Sequence, residues 1–210
     1  MRDAIVLAMN QLATAARSAA SRSTSAGALV LSAAWIVGGC ATSTTHDAPA
    51  KPNGMLVLEA RTCGSVQRLH ALGDDYLGSQ PNADDLRQAQ ANGIKTIVSL
   101  RHAAEVADWD EEGVARGLGL GFVRIPWNGP GELDDEIFDE ARAQLRGAAR
   151  PMFMHCGSGN RVGAVWIPYR VLDQGVELEA AVAEAKVVGL KTPEFEAKAR
   201  DYIRRQRADG

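Results

Sequence analysis

The stretch from Pro151 to Gly163, PMFMHCGSGNRVG, constrains the fold more than any other part of the chain. A short apolar run precedes a loop of small residues, and the apolar segment from Val162 to Leu172 then has the pattern of a helix. Glycines allow successive backbone N–H groups of such a loop to turn inward, and the helix N-terminus adds partial positive charge. The sequence therefore predicts a loop that holds an oxyanion between a buried strand and a helix.

Two side chains give this loop its chemistry. Cys156 lies at the bottom of the predicted loop, where the thiolate, the nucleophilic form, is favoured. The guanidinium of Arg161 can bind two oxygens of one anion. A free cysteine after a strand is often only a small core residue, but core packing does not require two glycines, a serine, an asparagine and an arginine in the next five positions. We therefore interpret Cys156 as a nucleophile and Arg161 as its clamp.

From Met55 onward the chain alternates between strand and helix patterns, and 55–58 is a possible edge strand or the end of the tether. We predict buried strands at 75–79, 94–100, 122–125 and 151–154, and helices at 83–91, 103–118, 134–147, 177–188 and from Thr192 onward. Such alternation favours an α/β fold with a central, mostly parallel sheet flanked by helices. The loops after Leu100, Ile125 and Met154 follow strand ends, so they should share one edge of the sheet, where α/β folds carry their sites.

Composition excludes several classes of function. The 210 residues carry a net charge of −3 and no long basic cluster, which argues against nucleic-acid binding. Three cysteines (Cys40, Cys63 and Cys156) cannot form a disulfide framework, and no cysteine or histidine spacing indicates a metal site. We read Cys63 as a buried core residue, with a resolving thiol as the alternative. No cofactor is predicted.

The N-terminal region has the pattern of a bacterial lipoprotein signal. The apolar core at 28–37 is too short for a comfortable transmembrane helix and suits a signal peptide. The segment VGGCATS resembles a lipobox, so we predict a signal peptide over residues 1–39, lipidation of Cys40, a flexible tether over 40–64 and the folded domain over 65–210. The protein would then be lipid-anchored to a membrane on its periplasmic side. An uncleaved membrane anchor is the alternative.

Four segments together carry a family likeness. They are YLGSQP at 76–81, GIKTIVSLR at 93–101, FVRIP at 122–126 and HCGSGNR at 155–161. In this order they resemble the phosphatase-like family named after the beta-lactamase hydrolase-like proteins, distant relatives of the dual-specificity tyrosine phosphatases. The resemblance implies a cysteine-phosphatase fold and a phosphorylated substrate, either a protein or a small molecule.

The resemblance also implies roles for individual residues. Cys156 would attack phosphorus and carry a thiophosphoryl group, which water then removes. Arg161 would clamp the transition state, and the backbone N–H groups of the loop would bind phosphate oxygens; the loop comprises Gly157, Ser158, Gly159, Asn160 and Arg161. The general acid should follow the strand at 122–125. Glu132, Asp134 and Asp135 are the carboxylates there, and we favour Asp134 or Asp135, although each could instead only stabilise a helix N-terminus.

Two departures from the tyrosine phosphatase pattern leave alternatives open. Only four residues separate Cys156 from Arg161, where those enzymes have five, and Val162 stands where they usually keep a serine or threonine. Rhodanese-type sulfurtransferases use a loop of the shorter length, so a rhodanese-like fold with a persulfide on Cys156 is one alternative. A pocket that binds an anion or a phosphorylated ligand without catalysis is another.

Overall fold

A computed structural model describes residues 57–208 of the chain. The signal peptide, the lipidated Cys40 and most of the tether lie outside the described residues and stay predictions. Within residues 57–208 no helix is both long enough and apolar enough to span a membrane.

The domain is built on a six-stranded sheet with the order β1-β2-β3-β6-β4-β5. The four strands from β3 to β5 in this order run parallel, whereas β1, β2 and β3 pair in antiparallel fashion. The strands are β1 Glu59–Ala60, β2 Leu69–Leu72, β3 Asp75–Gly78, β4 Thr96–Ser99, β5 Gly121–Arg124 and β6 Met152–His155. The predicted α/β fold with a mostly parallel sheet is confirmed.

Helices cover both faces of the sheet. Alternate residues of a strand point to opposite faces, and here both sets are apolar and need to be buried. On one face, Ile97 and Phe153 pack in a core with residues of α1 and α2. On the other, Val98 and Met154 belong to a larger core formed by α3, α4, α5 and α6. The helices are α1 Ala83–Ala91, α2 Glu111–Gly117, α3 Asp135–Gly147, α4 Asn160–Pro168, α5 Leu178–Val188 and α6 Pro193–Ala208.

Two helices differ from the sequence prediction. The helix predicted over 103–118 is broken into a 3-10 turn, Ala103–Val106, and the short α2, whose first turn is capped by the Asp110 carboxylate. The α4 helix ends at Pro168 and widens into a π-helical turn, Tyr169–Asp173, because proline has no N–H to donate.

The boundary placed at residue 65 is wrong, since the fold begins earlier. β1 pairs with β2 at Glu59 and Ala60, and Cys63 is buried. The Asp85 carboxylate then holds Ser65 through the Ser65 N–H at 2.7 Å and its hydroxyl at 2.8 Å. The sequence did not reveal this because a two-residue edge strand with exposed side chains has no hydrophobic periodicity.

Candidate active site

The loop of Cys156 lies at the carboxyl edge of the parallel strands. Cys156 follows β6 directly and donates its N–H to the Gly78 carbonyl of β3 at 3.3 Å, while Leu100, at the end of β4, donates to the His155 carbonyl at 2.9 Å. Arg161 then bonds to the carbonyls of Leu100 and Trp127, which follow β4 and β5. The structure thus brings together the three loops that the strand pattern assigned to one edge.

Gly159 shapes the cradle around the sulfur. Its φ of 87° is in the left-handed region, and its N–H donates to the Cys156 Sγ at 3.2 Å. A Cβ at this position would lie 2.2 Å from the Val188 carbonyl oxygen, so no residue other than glycine fits. The helix α4 begins at the next residue, Asn160, so its N-terminus adjoins the loop that carries Cys156.

Arg161 is nearly buried and fixed from one side. Its Nη1 donates to the Leu100 carbonyl at 3.0 Å, to the Trp127 carbonyl and to Glu105 at 2.8 Å, and its Nη2 donates to the other Glu105 oxygen at 2.6 Å. Burial opposes the charge, but the Glu105 carboxylate and the neighbouring Cys156 sulfur raise the pKa of the Arg161 guanidinium. Within residues 57–208 the Nε–H has no oxygen acceptor, so the Nε/Nη2 edge, beside the Cys156 sulfur, is available to two oxygens of an anion.

Glu105 is a site residue that the sequence analysis missed. The hydrogen bonds from Arg161 lower the pKa of its carboxyl group from an ordinary 4.5 to about 2, with help from the His102 N–H. Glu105 therefore stays ionised and binds both terminal nitrogens of the guanidinium, Nη1 and Nη2. Its position four residues after Arg101, just past the β4 strand end, is the one local signal that could have identified it.

A buried polar network supports the loop from below. The His155 ring and the Glu111 carboxylate are both fully buried, with 3.2 Å between Nε2 and Oε1 but without hydrogen-bond geometry. Burial lowers the pKa of His155 to about 4, so the ring is neutral near pH 7. Gln80 donates to Glu111 at 2.5 Å and accepts from Arg101 at 2.7 Å, which links this network to the β4 strand end.

The Asn160 side chain faces away from the cradle. Its Oδ1 accepts from the backbone N–H groups of Lys191 at 2.8 Å and Thr192 at 3.3 Å, and its Nδ2 donates to the Thr192 hydroxyl at 2.8 Å. Any contribution of Asn160 to phosphate binding therefore comes from its backbone N–H. The side chain holds the segment between α5 and α6 against the loop.

The predicted acids have other partners in this structure. The Asp134 carboxylate caps α3 by accepting from the Ile137 N–H at 3.1 Å, and Asp135 pairs with Arg205 on the surface. Among the described residues, no hydrogen bond or ion pair joins either of them to Cys156 or Arg161. Their assignment as general acids stays a prediction.

Glu132, unlike the two aspartates, is linked to Arg161 through a series of hydrogen bonds. Its carboxylate accepts from the His102 ring and from the Asn128 N–H, both at 2.7 Å, and these two bonds lower its pKa below the usual range. The backbone N–H of His102 in turn donates to Glu105 at 2.9 Å. A continuous chain of contacts therefore connects Glu132 to Arg161.

Cys63 has no contact with the site. Its side chain packs in the core under α1, on the opposite face of the sheet from the core that contains Cys156. The Cys63 thiol donates to the Asp85 carbonyl at 3.5 Å, and burial, followed by the Asp85 charge, raises its pKa. The structure supports the buried core residue rather than the resolving thiol.

Comparison with known proteins agrees with this geometry. The phosphatase-like domain of the beta-lactamase hydrolase-like protein family matches residues 69–172, which include the whole Cys156–Arg161 loop. The matched residues make up just under half of the chain. The dual specificity protein phosphatase TpbA of two Pseudomonas aeruginosa strains is similar to this chain, with 30% and 31% identity over 138 residues. The aligned region covers 64% of this chain and 60% of each TpbA chain.

Solved structures show the same fold. The crystal structure of a P. aeruginosa TpbA variant in complex with pTyr has a TM-score of 0.56 and 24% identity, and covers 72% of this chain and 97% of its own. Tk-PTP in its active form has a TM-score of 0.52 and 18% identity, and covers 63% of this chain and 93% of its own. The domain therefore has the fold of the cysteine phosphatases, and the rhodanese-like alternative for the fold is not supported.

Proposed function

We propose that this protein is a cysteine-dependent phosphatase that hydrolyses phosphate monoesters. The observation that carries the proposal is the arrangement of one loop. Cys156 lies at its floor, the Gly159 N–H points at the sulfur, and Arg161 is held by Glu105 so that one edge of its guanidinium stays free. The match to the phosphatase-like family supports the same activity.

The proposed reaction has two steps. The Cys156 thiolate attacks phosphorus, and an S–P bond forms while the P–O bond to the leaving group breaks. The leaving oxygen takes a proton from a general acid, for which Asp134 and Asp135 are the proposed donors. The oxygen of a water molecule then attacks phosphorus, gives a proton to the carboxylate left by the first step and displaces the sulfur as a thiolate, which releases inorganic phosphate.

Charge in both transition states would be stabilised by groups that are already in place. The loop N–H groups and the α4 N-terminus face the phosphate oxygens, and the free Nε/Nη2 edge of Arg161 matches the spacing of two of them. Removal of one such preorganised donor costs enzymes about 10²–10³ in kcat. We therefore expect Arg161→Lys, which keeps the charge but loses the fork, to be severely impaired.

The test compares wild type with Cys156→Ser on an aryl phosphate. We expect Cys156-dependent phosphate release and a thiophosphoryl adduct that acid quenching traps on Cys156 and mass spectrometry detects. Equal rates for the two proteins would refute the proposal. Binding of phosphotyrosine without turnover would favour a non-catalytic phospho-ligand pocket instead.

The four-residue spacing between Cys156 and Arg161 requires a parallel test for sulfur transfer. In this test the protein is incubated with thiosulfate and then with cyanide. A persulfide on Cys156 together with formation of thiocyanate would favour the sulfurtransferase. Phosphate release without either product would exclude it.

We further propose that the mature protein is anchored through a lipid on Cys40 at the periplasmic side of a bacterial membrane. The proposal is supported by the lipobox-like segment and the short apolar core before it. Cells fed radiolabelled palmitate should label the wild type and not Cys40→Ala. Label on both proteins, or on neither, would contradict lipidation at this residue.

A further inference from the structure

Two exposed cations lie beside the loop and have no carboxylate partner within residues 57–208. They are Arg68, just before β2, and Lys191, between α5 and α6. Apart from Arg68 and the near-terminal Arg207, the arginines of the described residues all form an ion pair with an aspartate or glutamate. We call Arg68 and Lys191 the rim cations.

Arg68 is held beside the cradle. Its N–H donates to the Ser79 hydroxyl at 3.1 Å and its carbonyl accepts from the Ser79 N–H at 2.8 Å, while Ser79 pairs with Ser158 of the loop. A Cβ built on Gly189 would lie 2.9 Å from the Arg68 Nη1 and 2.7 Å from the Ser158 carbonyl oxygen. The Arg68 guanidinium therefore lies at the junction between the cradle and the α5–α6 segment.

Lys191 is placed by the Asn160 side chain. The Oδ1 of Asn160 accepts from the backbone N–H groups of Lys191 and Thr192, and its Nδ2 donates to the Thr192 hydroxyl, which fixes this segment next to the first turn of α4. The close approach of Gly159 to the Val188 carbonyl holds the same segment from its other end. The Lys191 backbone is thus fixed relative to the cradle, while its side chain stays exposed.

We propose that the rim cations recognise a second anionic group on the substrate, next to the phosphate that Cys156 attacks. Given the proposed phosphatase function, on which this inference rests, the substrate class is a phosphorylated protein segment with acidic residues beside the phosphorylated side chain. An uncompensated cation at a fixed site favours an incoming anion, and an exposed contact of this kind changes binding by about two- to fivefold.

The experiment measures kcat/KM for two phosphotyrosine peptides of equal length, one with aspartates and one with asparagines at the positions that flank the phosphotyrosine. The ratio of the two values within one protein cancels differences in the active fraction. We expect wild type to prefer the acidic peptide at low salt. Arg68→Gln and Lys191→Gln should each reduce the ratio of kcat/KM, acidic peptide over neutral peptide, about two- to fivefold. The double variant Arg68→Glu/Lys191→Glu should bring this ratio below one.

Lys95→Gln is the matched control. Lys95 is also exposed and has no ion pair within residues 57–208, but it precedes β4 and therefore lies at the opposite edge of the sheet from the loop. The control should keep the wild-type ratio. Raising the salt to 1 M, where the screening length is about 3 Å, should reduce the wild-type preference because the contacts are exposed.

Equal kcat/KM for both peptides in the wild type, or an unchanged ratio in the charge-reversed double variant, would overturn the inference. Cys156-dependent hydrolysis of an aryl phosphate would still stand in that case, so the proposed function is tested separately. A ratio that falls equally in Lys95→Gln would show an effect of net charge alone and would also overturn it.

Discussion

Glu105 offers the sharpest test of how the clamp is built. Its two carboxylate oxygens bind Nη1 and Nη2 of Arg161, so the carboxylate fixes the plane of the guanidinium and leaves the adjacent Nε/Nη2 edge for the proposed substrate. In Glu105→Gln the charge disappears, and an amide NH₂ faces a group that can only donate hydrogen bonds. We expect Arg161 to lose its fixed orientation while keeping its two carbonyl acceptors.

The size of the effect follows from the pKa of Glu105. A fall in the pKa from 4.5 to about 2 corresponds to an interaction of up to about 3.5 kcal/mol, at about 1.4 kcal/mol per pKa unit. The Glu105 side chain is 23% exposed, and solvent screening reduces this figure to roughly 1–2 kcal/mol. If the whole amount is lost from transition-state stabilisation, kcat/KM falls about 5- to 30-fold.

The assay combines kinetics on an aryl phosphate with urea unfolding. Glu112→Gln is the control, because Glu112 pairs with Arg116 across the exposed surface of α2 and the same chemical change there should alter neither quantity appreciably. A Glu105→Gln protein with kcat/KM within twofold of wild type and a reduced free energy of unfolding would show that Glu105 only stabilises the fold. That result would refute its role in positioning Arg161.

The pH dependence of stability gives an independent check on Glu105. Because its pKa is lower in the folded protein, its contribution to stability is complete above about pH 4.5 and is lost as the pH falls toward 2. The difference in unfolding free energy between wild type and Glu105→Gln should therefore shrink over this range. A difference that stays constant down to pH 2 would contradict the low pKa.

Three further predictions concern single residues. Gly159→Ala should unfold more easily and lose most activity, since the new Cβ would meet a carbonyl oxygen at 2.2 Å; wild-type kcat and melting temperature would contradict this. Asp134→Asn should keep the α3 cap, because asparagine caps as well as aspartate, so a loss of turnover on alkyl phosphates at unchanged melting temperature would identify Asp134 as the acid. Stability should fall as the pH drops from about 6.5 to 4, because His155 takes up a proton more readily when unfolded; His155→Asn should remove this dependence in urea titrations.

The sequence predicted those elements that have a strong local signal. The β-branched run at 94–100 indicated β4, and Asn82, which accepts from the Asp85 N–H at 2.9 Å, marked the start of α1. The loop of Cys156 was recognisable because its residue types serve no packing purpose. In each case the determining residues lie within a few positions of one another.

The elements and contacts that the sequence did not predict depend on distant parts of the chain. Glu105 and Arg161 are 56 residues apart, and nothing near Glu105 indicates that a buried guanidinium will face it. The hairpin of β2 and β3 turns at Gly73, but β2 has only four residues, too few to show a periodic pattern. A site assembled from three strand ends can be located from the sequence, whereas the pairing of its side chains cannot.

Val162 bears on the second step of the proposed reaction. It stands directly after Arg161, where tyrosine phosphatases usually keep a hydroxyl that stabilises the departing thiolate, and here it is fully buried in the main core. The Gly159 N–H, 3.2 Å from the Cys156 Sγ, is the donor that the structure supplies to the sulfur instead. In the proposed reaction, a backbone donor fixed by a left-handed glycine would need no reorganisation when the S–P bond breaks. We therefore expect Val162→Thr to give little gain in turnover, because the new threonine hydroxyl would have to leave the core to reach the sulfur. A large gain in turnover would show that the backbone donor alone is insufficient.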